Sequence, residues 1–346
     1  MTLRKEYWKL IKFDMKHVFV VNSHTTFLTS MGVVSHLGLQ VEQVVFVYMR
    51  NYKNSVAKVP FQTIDATSLV NSCANISSCY AETISRVDGF VEKNIGAKYN
   101  LYVPHLWHYF FQLLYTNPLC RRVSYVQEGG AVQTKVFEKD ATFVDRIKMF
   151  VRLAILHRRT FECKWYLKGI IYKQVGLDSY AINDSYFGCL PSHNHIVEWP
   201  KVNLDISLHP NVPFFVFDGY VNNGLVTSSD YMSLCQEIIE KEVKPLNYVK
   251  FHPAQSDEER KQILEYFYSL NGKVEVLSDA IPMEYIIAQI ETSTFVGFTS
   301  SLLYYAHDFG HNVSCYERLL LQKSESFRAY VKSCGFQTFA ETYPNL

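Results

Sequence analysis

The 346-residue sequence lacks the features that mark several common classes of protein. No stretch approaches the ~20 apolar residues needed to cross a bilayer, and no apolar run of signal-peptide length follows the charged N-terminal residues. We find no internal repeat, low-complexity segment or P-loop. The net charge is only +1, which gives no global field that would attract nucleic acid. The sequence therefore predicts neither a spanning membrane protein nor a nucleic-acid-binding protein.

The eight cysteines are scattered, without a C-x-x-C pair and without the spacing of a zinc site. We interpret them as reduced, mostly buried thiols, which is typical of a cytosolic protein. No metal site is predicted.

Apolar and aromatic residues, by contrast, are abundant. Hydrophobic residues make up 48% of the chain, and it contains 24 Tyr and 24 Phe. This composition supplies substantial cores and is not that of a disordered chain. The length fits two domains of ordinary size or one large domain.

Two polar motifs in the second half each follow a buried strand. Residues 246–251 are apolar and aromatic, and they end at His252-Pro253, where proline cannot continue a ladder. Residues 295–298 form a second apolar strand, which Thr299-Ser300-Ser301 and a helical run follow. Hydroxyls and free N–H groups at a helix start make an anion site. Because ligands bind at the carboxyl edge of open α/β sheets, we expect these motifs to form one site.

A third motif, Pro282-Met283-Glu284, lies between these two and opens a helix. Proline suits a first helical turn, and a carboxylate near a helix N-terminus is electrostatically favourable.

The first half begins with a strand–loop–helix–strand pattern. A strand over 17–22 precedes Ser23-His24-Thr25, which opens a helix through about His36. The polar loop is either a plain helix cap or part of the lining of an acceptor site.

Residues 123–126 form another strand, and Gln127-Glu128-Gly129-Gly130 follow it. A carboxylate on a glycine-permitted turn at the end of a buried strand occupies a functional position of an α/β domain. The alternative is a surface turn with a solvated glutamate.

Residues 145–173 mix basic side chains with Trp, Tyr and Leu. This pattern suits an anionic membrane surface or an anionic polymer, although an amphipathic helix with a solvated basic face fits equally well. The candidate contacts are Arg152, Arg158, Arg159 and Lys164. A proline-rich stretch over 188–213 is predicted to be a linker.

Three motifs occur along the chain in a fixed order: the acidic-Gly motif at Glu128-Gly129, the His-Pro motif and the Ser-Ser motif. This ordered set resembles the motifs of bacterial sialyltransferases of the GT-B fold. That group includes polysialyltransferases and lipooligosaccharide sialyltransferases. One departure is Gln127, where the group's pattern has a first acidic residue; Gln127→Glu should therefore be tolerated.

The resemblance implies an α/β, GT-B-like fold with two Rossmann-like domains facing each other across a cleft. Residues 1–200 would form the acceptor-binding domain and residues 201–325 the CMP-sugar-binding domain. Residues 326–346 would form a C-terminal helix or tail that crosses back to the first domain.

The implied activity is inverting, metal-independent transfer of sialic acid from CMP-sialic acid to a hydroxyl of a surface glycan, in capsule or lipooligosaccharide synthesis. Peripheral binding at the cytoplasmic face of the inner membrane is expected, with no cofactor. Glu128 would be the general base and His252 the partner of the phosphate. Pro253, Glu284, Thr299, Ser300 and Ser301 would bind the donor, with Glu284 on the ribose, and Gly129 and Gly130 would let the acceptor approach. The alternatives are another CMP-sugar, such as Kdo or legionaminic acid, and a catalytically degenerate, membrane-associated scaffold.

Overall fold

The computed structural model describes residues 15–54, 60–73, 80–106, 108–129, 144, 147, 177–184, 186–187, 192–202, 206–209, 211–334 and 338–343. The chain divides into two compact units. Unit 1 comprises Met1–Glu128 with Val136–Pro200, and unit 2 comprises Gly129–Lys135 with Lys201–Leu346. Each unit contains one sheet, and every pair of neighbouring strands in both sheets is parallel.

The sheet of unit 1 has seven strands in the order β3-β2-β1-β4-β5-β6-β7. The strands are β1 Met15–Val21, β2 Val44–Tyr48, β3 Gln62–Asp65, β4 Lys98–Val103, β5 Cys120–Val126, β6 Leu177–Ala181 and β7 Ser192–Ile196. Among the described residues, the helices of this unit include α1 His24–His36, α2 Thr67–Ser72, α3 Tyr80–Asn94 and α4 Tyr109–Thr116.

The central strands of unit 1 are covered on both faces, which explains their unbroken apolar sequence. Val18 through Val21 of β1 are fully buried, as are Val45 through Val47 of β2. Helix α1 begins where it does because the Ser23 hydroxyl accepts a hydrogen bond of 3.2 Å from the Thr26 N–H.

The sheet of unit 2 has five strands in the order β10-β9-β8-β11-β12. They are β8 Phe214–Val216, β9 Leu246–Lys250, β10 Lys273–Val276, β11 Thr294–Gly297 and β12 Asn312–Cys315. The helices are α5 Ser228–Glu242, α6 Asp257–Ser269, α7 Met283–Ile287, α8 Ser301–Asp308, α9 Glu317–Lys323, α10 Glu325–Cys334 and α11 Phe339–Thr342.

The last two helices pack within unit 2. Phe327 of α10 lies in its core, and the Phe339 N–H at the start of α11 donates a 2.8 Å hydrogen bond to Glu317 Oε2. The Tyr343 ring lies 3.8 Å from the ring of His307 on α8.

The predicted α/β class with two Rossmann-like domains is confirmed by these two parallel sheets. Residues 192–196, which the prolines placed in a linker, instead form β7 and pair with β6. Strand β7 is at the edge of its sheet, and Ile196 is 59% exposed. Since an edge strand does not need an apolar run, its polar sequence gave no sign of a strand.

Candidate functional site

A pocket of about 350 Å³ lies in unit 2 at the carboxyl ends of its strands. Four of the residues predicted from the sequence line it: His252, Thr299, Ser300 and Ser301. His252 follows β9 and the other three follow β11. The expectation that these two motifs converge at one sheet edge therefore matches the geometry of unit 2.

His252 is held in one orientation by its own loop. Its Nδ1 accepts a 3.1 Å hydrogen bond from the Ala254 N–H, and its backbone N–H donates a 2.9 Å hydrogen bond to Gln255 Oε1. With Nδ1 accepting, the neutral ring carries its proton on Nε2. Burial, and then the charge of Arg260, lower the pKa of His252 below its ordinary value. The neutral imidazole is therefore a hydrogen-bond donor through Nε2.

Ser300 is the N-cap residue of α8, yet its hydroxyl makes no capping hydrogen bond. It bonds instead to the carboxylate of Asp218. Ser301, the first residue of α8, is exposed and lines the pocket. The helix start thus presents hydroxyls and N–H groups to the pocket, an arrangement that favours an anion.

Asp218, which follows β8, also lines this pocket and was not among the predicted site residues. Tyr220 Oη donates a 2.9 Å hydrogen bond to Asp218 Oδ2, and Tyr220 also bonds to the Thr299 hydroxyl. Burial raises the pKa of Asp218 to about 6, while the hydrogen bonds from Tyr220, Ser300 and the Thr299 backbone act in the opposite direction. A carboxylate with a pKa in this range suits a general base working near neutral pH.

Gly219 allows the loops after β8 and β9 to approach closely. A Cβ atom at this position would lie 2.9 Å from His252 Nδ1 and 3.1 Å from the Ala254 Cβ. Only glycine fits without moving the histidine.

The other two predicted donor residues are placed differently. Pro253 is exposed beside His252, and Glu284 is in the first turn of α7. Neither is part of the described lining of the pocket. Glu284 lies close enough to Lys250, the last residue of β9, for its charge to oppose the lowering of the lysine's pKa by burial. Lys250 Nζ donates a 2.6 Å hydrogen bond to the Ser278 carbonyl.

In unit 1, Glu128 lies within a separate polar cluster at the carboxyl ends of four strands. Asn22, after β1, donates a hydrogen bond to Glu128 Oε1, and Arg50 NH1, after β2, lies 3.5 Å from the same oxygen. His105 Nε2, after β4, lies 3.5 Å from Oε2. The glutamate main chain is fixed by the Tyr186 hydroxyl, which accepts from the Glu128 N–H at 3.1 Å and donates to its carbonyl.

Burial dominates the electrostatics of this cluster. It raises the pKa of Glu128, against the hydrogen bond from Asn22 and the charge of Arg50. It lowers the pKa of His105 to about 3, with further lowering from Arg50 and His108. At neutral pH His105 is therefore uncharged, and Arg50 is the cation that opposes the carboxylate.

Ser23, His24 and Thr25, at the start of α1, make structural contacts within unit 1. Ser23 caps the helix and Thr25 is buried, while His24 Nδ1 lies 3.3 Å from the Tyr52 hydroxyl. Gly129 has a φ of +83°, a conformation that glycine adopts without strain. Gly130, Arg152, Arg158, Arg159 and Lys164 lie outside the described residues.

Gln127, in the position of the missing acidic residue, is fully buried. Its Oε1 accepts a 2.9 Å hydrogen bond from the Ile182 N–H, and its backbone N–H donates a 3.0 Å hydrogen bond to the Tyr180 carbonyl. It ties the end of β5 to β6 and to the residue that follows β6.

Among the residues described, no group of three or more His, Cys, Asp or Glu side chains is placed to hold a metal ion. Over the same residues, no helix has the length and apolarity needed to cross a membrane.

The Alpha-2,8-polysialyltransferase (POLYST) family matches residues 188–316, less than half of the chain. No curated protein matches the sequence. The matched segment contains Asp218, His252, Glu284 and Ser300, whereas Glu128 lies outside it.

Among solved structures, the chain is similar to the 2,6-sialyltransferase of Vibrionaceae Photobacterium sp. JT-ISH-224, crystallised with the donor product CMP and the acceptor substrate lactose. The TM-score is 0.51 at 10% identity, over 93% of this chain and 76% of that chain. A glycosyltransferase from Rickettsia africae aligns with a TM-score of 0.39 at 10% identity, over 87% of this chain and 79% of that chain. The family match confirms the predicted resemblance to the sialyltransferase group and the predicted enzyme class, a glycosyltransferase. The first structure agrees with the predicted fold.

Asp218 is the residue that sequence reasoning missed. Asp218-Gly219 is itself an acidic-Gly pair after a buried strand, but β8 is only three residues long. The signal that could have identified it is this acidic-Gly pair directly after the apolar residues 214–217.

Proposed function

We propose that the protein is an inverting, metal-independent sialyltransferase that transfers sialic acid from CMP-sialic acid to a hydroxyl of a glycan. The observation that carries the proposal is the pocket of unit 2, where Asp218, His252, Ser300 and Ser301 meet. All four lie within the segment matched by the polysialyltransferase family.

The donor phosphate is assigned to the start of α8. Cleavage of CMP-sialic acid converts the phosphate diester into a monoester, and negative charge builds on its oxygens. The hydroxyl of Ser301, the N–H groups of the helix start and the Nε2–H of His252 are the donors that stabilise this charge. The Ser300 hydroxyl lies beside them and is bonded to Asp218. Glu284, in the first turn of α7 and near Lys250 at the end of β9, keeps its proposed role of binding the ribose hydroxyls.

In the transfer step the acceptor oxygen bonds to the anomeric carbon of the sialic acid. The bond from that carbon to the phosphate oxygen breaks, and its electron pair stays on CMP. The acceptor proton passes to a carboxylate, a general-base contribution worth about 10²- to 10⁴-fold in rate. Asp218 is the first candidate for this base, since it lines the same pocket as His252.

Glu128 is the second candidate, as the sequence motif suggested. Burial raises the pKa of its carboxyl group, which suits a base, whereas the hydrogen bond from Asn22 and the charge of Arg50 favour the ionised form. Should Asp218 carry the proton, the cluster around Glu128 would instead contribute to acceptor binding through its charge.

A single phosphate explains why no metal is needed. A nucleoside diphosphate leaving group is commonly neutralised by Mg²⁺ or Mn²⁺, whereas one phosphate can be held by an imidazole, hydroxyls and a helix N-terminus. Transfer that persists in excess EDTA is the expected result. Abolition by EDTA with rescue by Mn²⁺ would contradict this part of the proposal.

The acceptor is proposed to be a bacterial surface glycan of capsule or lipooligosaccharide type. The site of action is then the cytoplasmic face of the inner membrane, with Arg152, Arg158, Arg159 and Lys164 as the membrane contacts. The chemistry of the pocket also suits other CMP-sugars, such as Kdo or legionaminic acid, because the groups named above recognise the shared CMP.

The direct test is turnover of CMP-sialic acid by the purified protein, followed by mass spectrometry of the products. Lactose and an α2,8-linked sialic acid trimer serve as acceptors, and CMP-Kdo serves as the competing donor. Release of CMP with a matching mass increase of the acceptor supports the proposal. Preference for CMP-Kdo would identify CMP-Kdo as the donor. CMP binding without turnover would favour the scaffold alternative.

A further inference from the structure

The pocket of unit 2 has two chemically different parts. One contains the groups assigned to the phosphate and the base. The other is formed by α10, which contributes Phe327, Tyr330 and Val331, and by the loop after β8, which contributes Asn223 and Leu225. The donor phosphate does not account for this second part.

An aromatic path joins the two parts. The ring of Tyr220, which bonds to Asp218, lies 5.5 Å from that of Phe327 in an edge-on arrangement. The Phe327 ring lies 6.4 Å from that of Tyr330. Phe327 is buried with 2% exposure, whereas Tyr330 is 41% exposed at the wall of the pocket. The buried phenylalanine therefore anchors a tyrosine ring whose other surface is accessible.

An exposed aromatic ring in a concave, partly polar site is a platform for a flat or amphipathic ligand. One face of a sugar ring carries mostly C–H groups and packs on such a surface, while the hydroxyls at its edge need hydrogen-bond partners. Asn223 is exposed, lines the same wall and offers both an amide donor and a carbonyl acceptor.

The position of Asp218 identifies which sugar belongs there. A general base must lie within about 2.6–3.2 Å of the acceptor hydroxyl, or act through one water. The start of α8 is assigned to the donor phosphate, and the part walled by α10 is the other part of this pocket from which a hydroxyl can reach Asp218.

We infer that the α10 wall is an acceptor subsite, in which the Tyr330 ring packs against the terminal sugar of the acceptor glycan and Asn223 binds its hydroxyls. This inference rests on the proposed function, with Asp218 as the base.

The test compares acceptor use with donor binding. Tyr330→Ala should raise the acceptor KM by about tenfold, the effect of losing roughly 1.4 kcal/mol of ring packing. Its CMP affinity, measured by calorimetry, should stay at the wild-type value. Tyr330→Phe keeps the ring and should keep the acceptor KM. Tyr268→Ala is the matched control, since Tyr268 is also exposed in unit 2, at 56%, but lies on α6 outside this pocket.

An unchanged acceptor KM in Tyr330→Ala would overturn the inference. So would a loss of CMP affinity in that variant at an unchanged acceptor KM, because the ring would then pack on the cytosine. Failure of the proposed function is distinguishable, since the wild-type protein itself would then not turn over CMP-sialic acid.

Discussion

The Tyr220 hydroxyl donates a 2.9 Å hydrogen bond to the Asp218 carboxylate and also bonds to the Thr299 hydroxyl, so it joins the loops after β8 and β11. Both loops lie at the edge of the sheet where the pocket opens. The bond stabilises the ionised form of Asp218 and opposes the effect of burial on its pKa. The protonation of the proposed base is therefore controlled by a residue that need not touch the substrate.

Tyr220→Phe removes this donor and should raise the pKa of Asp218 above its present value of about 6. Because the ionised carboxylate is the active form of a base, activity is lost as the pH falls through this pKa. The acidic limb of the kcat/KM profile should move to higher pH by about one to two units, since a hydrogen bond to a charged group contributes about 1.5–3 kcal/mol and one pKa unit corresponds to about 1.4 kcal/mol.

Tyr231→Phe is the control for that measurement. The Tyr231 hydroxyl accepts from the Asp218 backbone N–H at 3.1 Å, so its loss leaves the carboxylate's own hydrogen bonds in place. Equal acidic limbs in Tyr220→Phe and wild type would show that Asp218 does not control the profile.

Isosteric amide substitutions distinguish the two candidate bases, Asp218 and Glu128. Asp218→Asn should lower kcat by about 10²- to 10⁴-fold, as expected for loss of a general base, and should leave CMP affinity within a few-fold of wild type. Glu128→Gln in the folded protein should have the smaller effect on kcat. The reverse order of effects would assign the base to Glu128, as the sequence motif first indicated.

The phosphate site is tested by the double variant Ser300→Ala, Ser301→Ala. Losing the Ser301 hydroxyl should weaken CMP binding by about tenfold or more, since a hydrogen bond to a charged group contributes about 1.5–3 kcal/mol. Losing the Ser300 hydroxyl also removes its hydrogen bond to Asp218. Titration calorimetry with CMP measures this directly. Ser269→Ala is the control, because Ser269 Oγ bonds within α6, to the Tyr266 carbonyl. Wild-type CMP affinity in the double variant would show that the start of α8 does not bind the donor phosphate.

Gln127→Glu restores the family's acidic pair, and the motif alone predicts that it is tolerated. The structure predicts the opposite, because Gln127 is fully buried and a carboxylate there loses its hydration. The new glutamate should have a raised pKa in the folded state. Its cost should be small at pH 5 and should grow as the pH rises towards 8.

Denaturant unfolding at the two pH values measures this cost against Gln322→Glu, which makes the same change on an exposed residue. A loss of stability that does not depend on pH, or no loss, would show that the buried site accommodates the charge.

The sequence predicted those parts of the fold and the site that depend on local pattern. His252 and Ser300 were found because each directly follows an apolar strand of readable length, β9 and β11. The edge strands β3 and β7 were missed, because strands at the edge of a sheet are exposed and need no continuous apolar run.

Order across a sheet is not a local property, and this limited the prediction of the site. Strand β8 lies between β9 and β11, which brings Asp218 next to His252 although it comes 34 residues earlier in the chain. The partners of Glu128 show the same limit: Asn22, Arg50 and His105 come from three separate strand ends, and no spacing in the sequence connects them.

The close approach at Gly219 has a consequence for how the gene tolerates change. Any side chain at this position meets His252 Nδ1, so a library randomised at codon 219 and selected for activity should return glycine alone. Gly89 lies in the exposed middle of α3, where a Cβ atom would have no neighbour within 4 Å, so alanine there fits freely. Alanine also favours the helix over glycine by about 0.5–1 kcal/mol. The contrast between two glycines of one chain would thus separate selection on the site from selection on the fold.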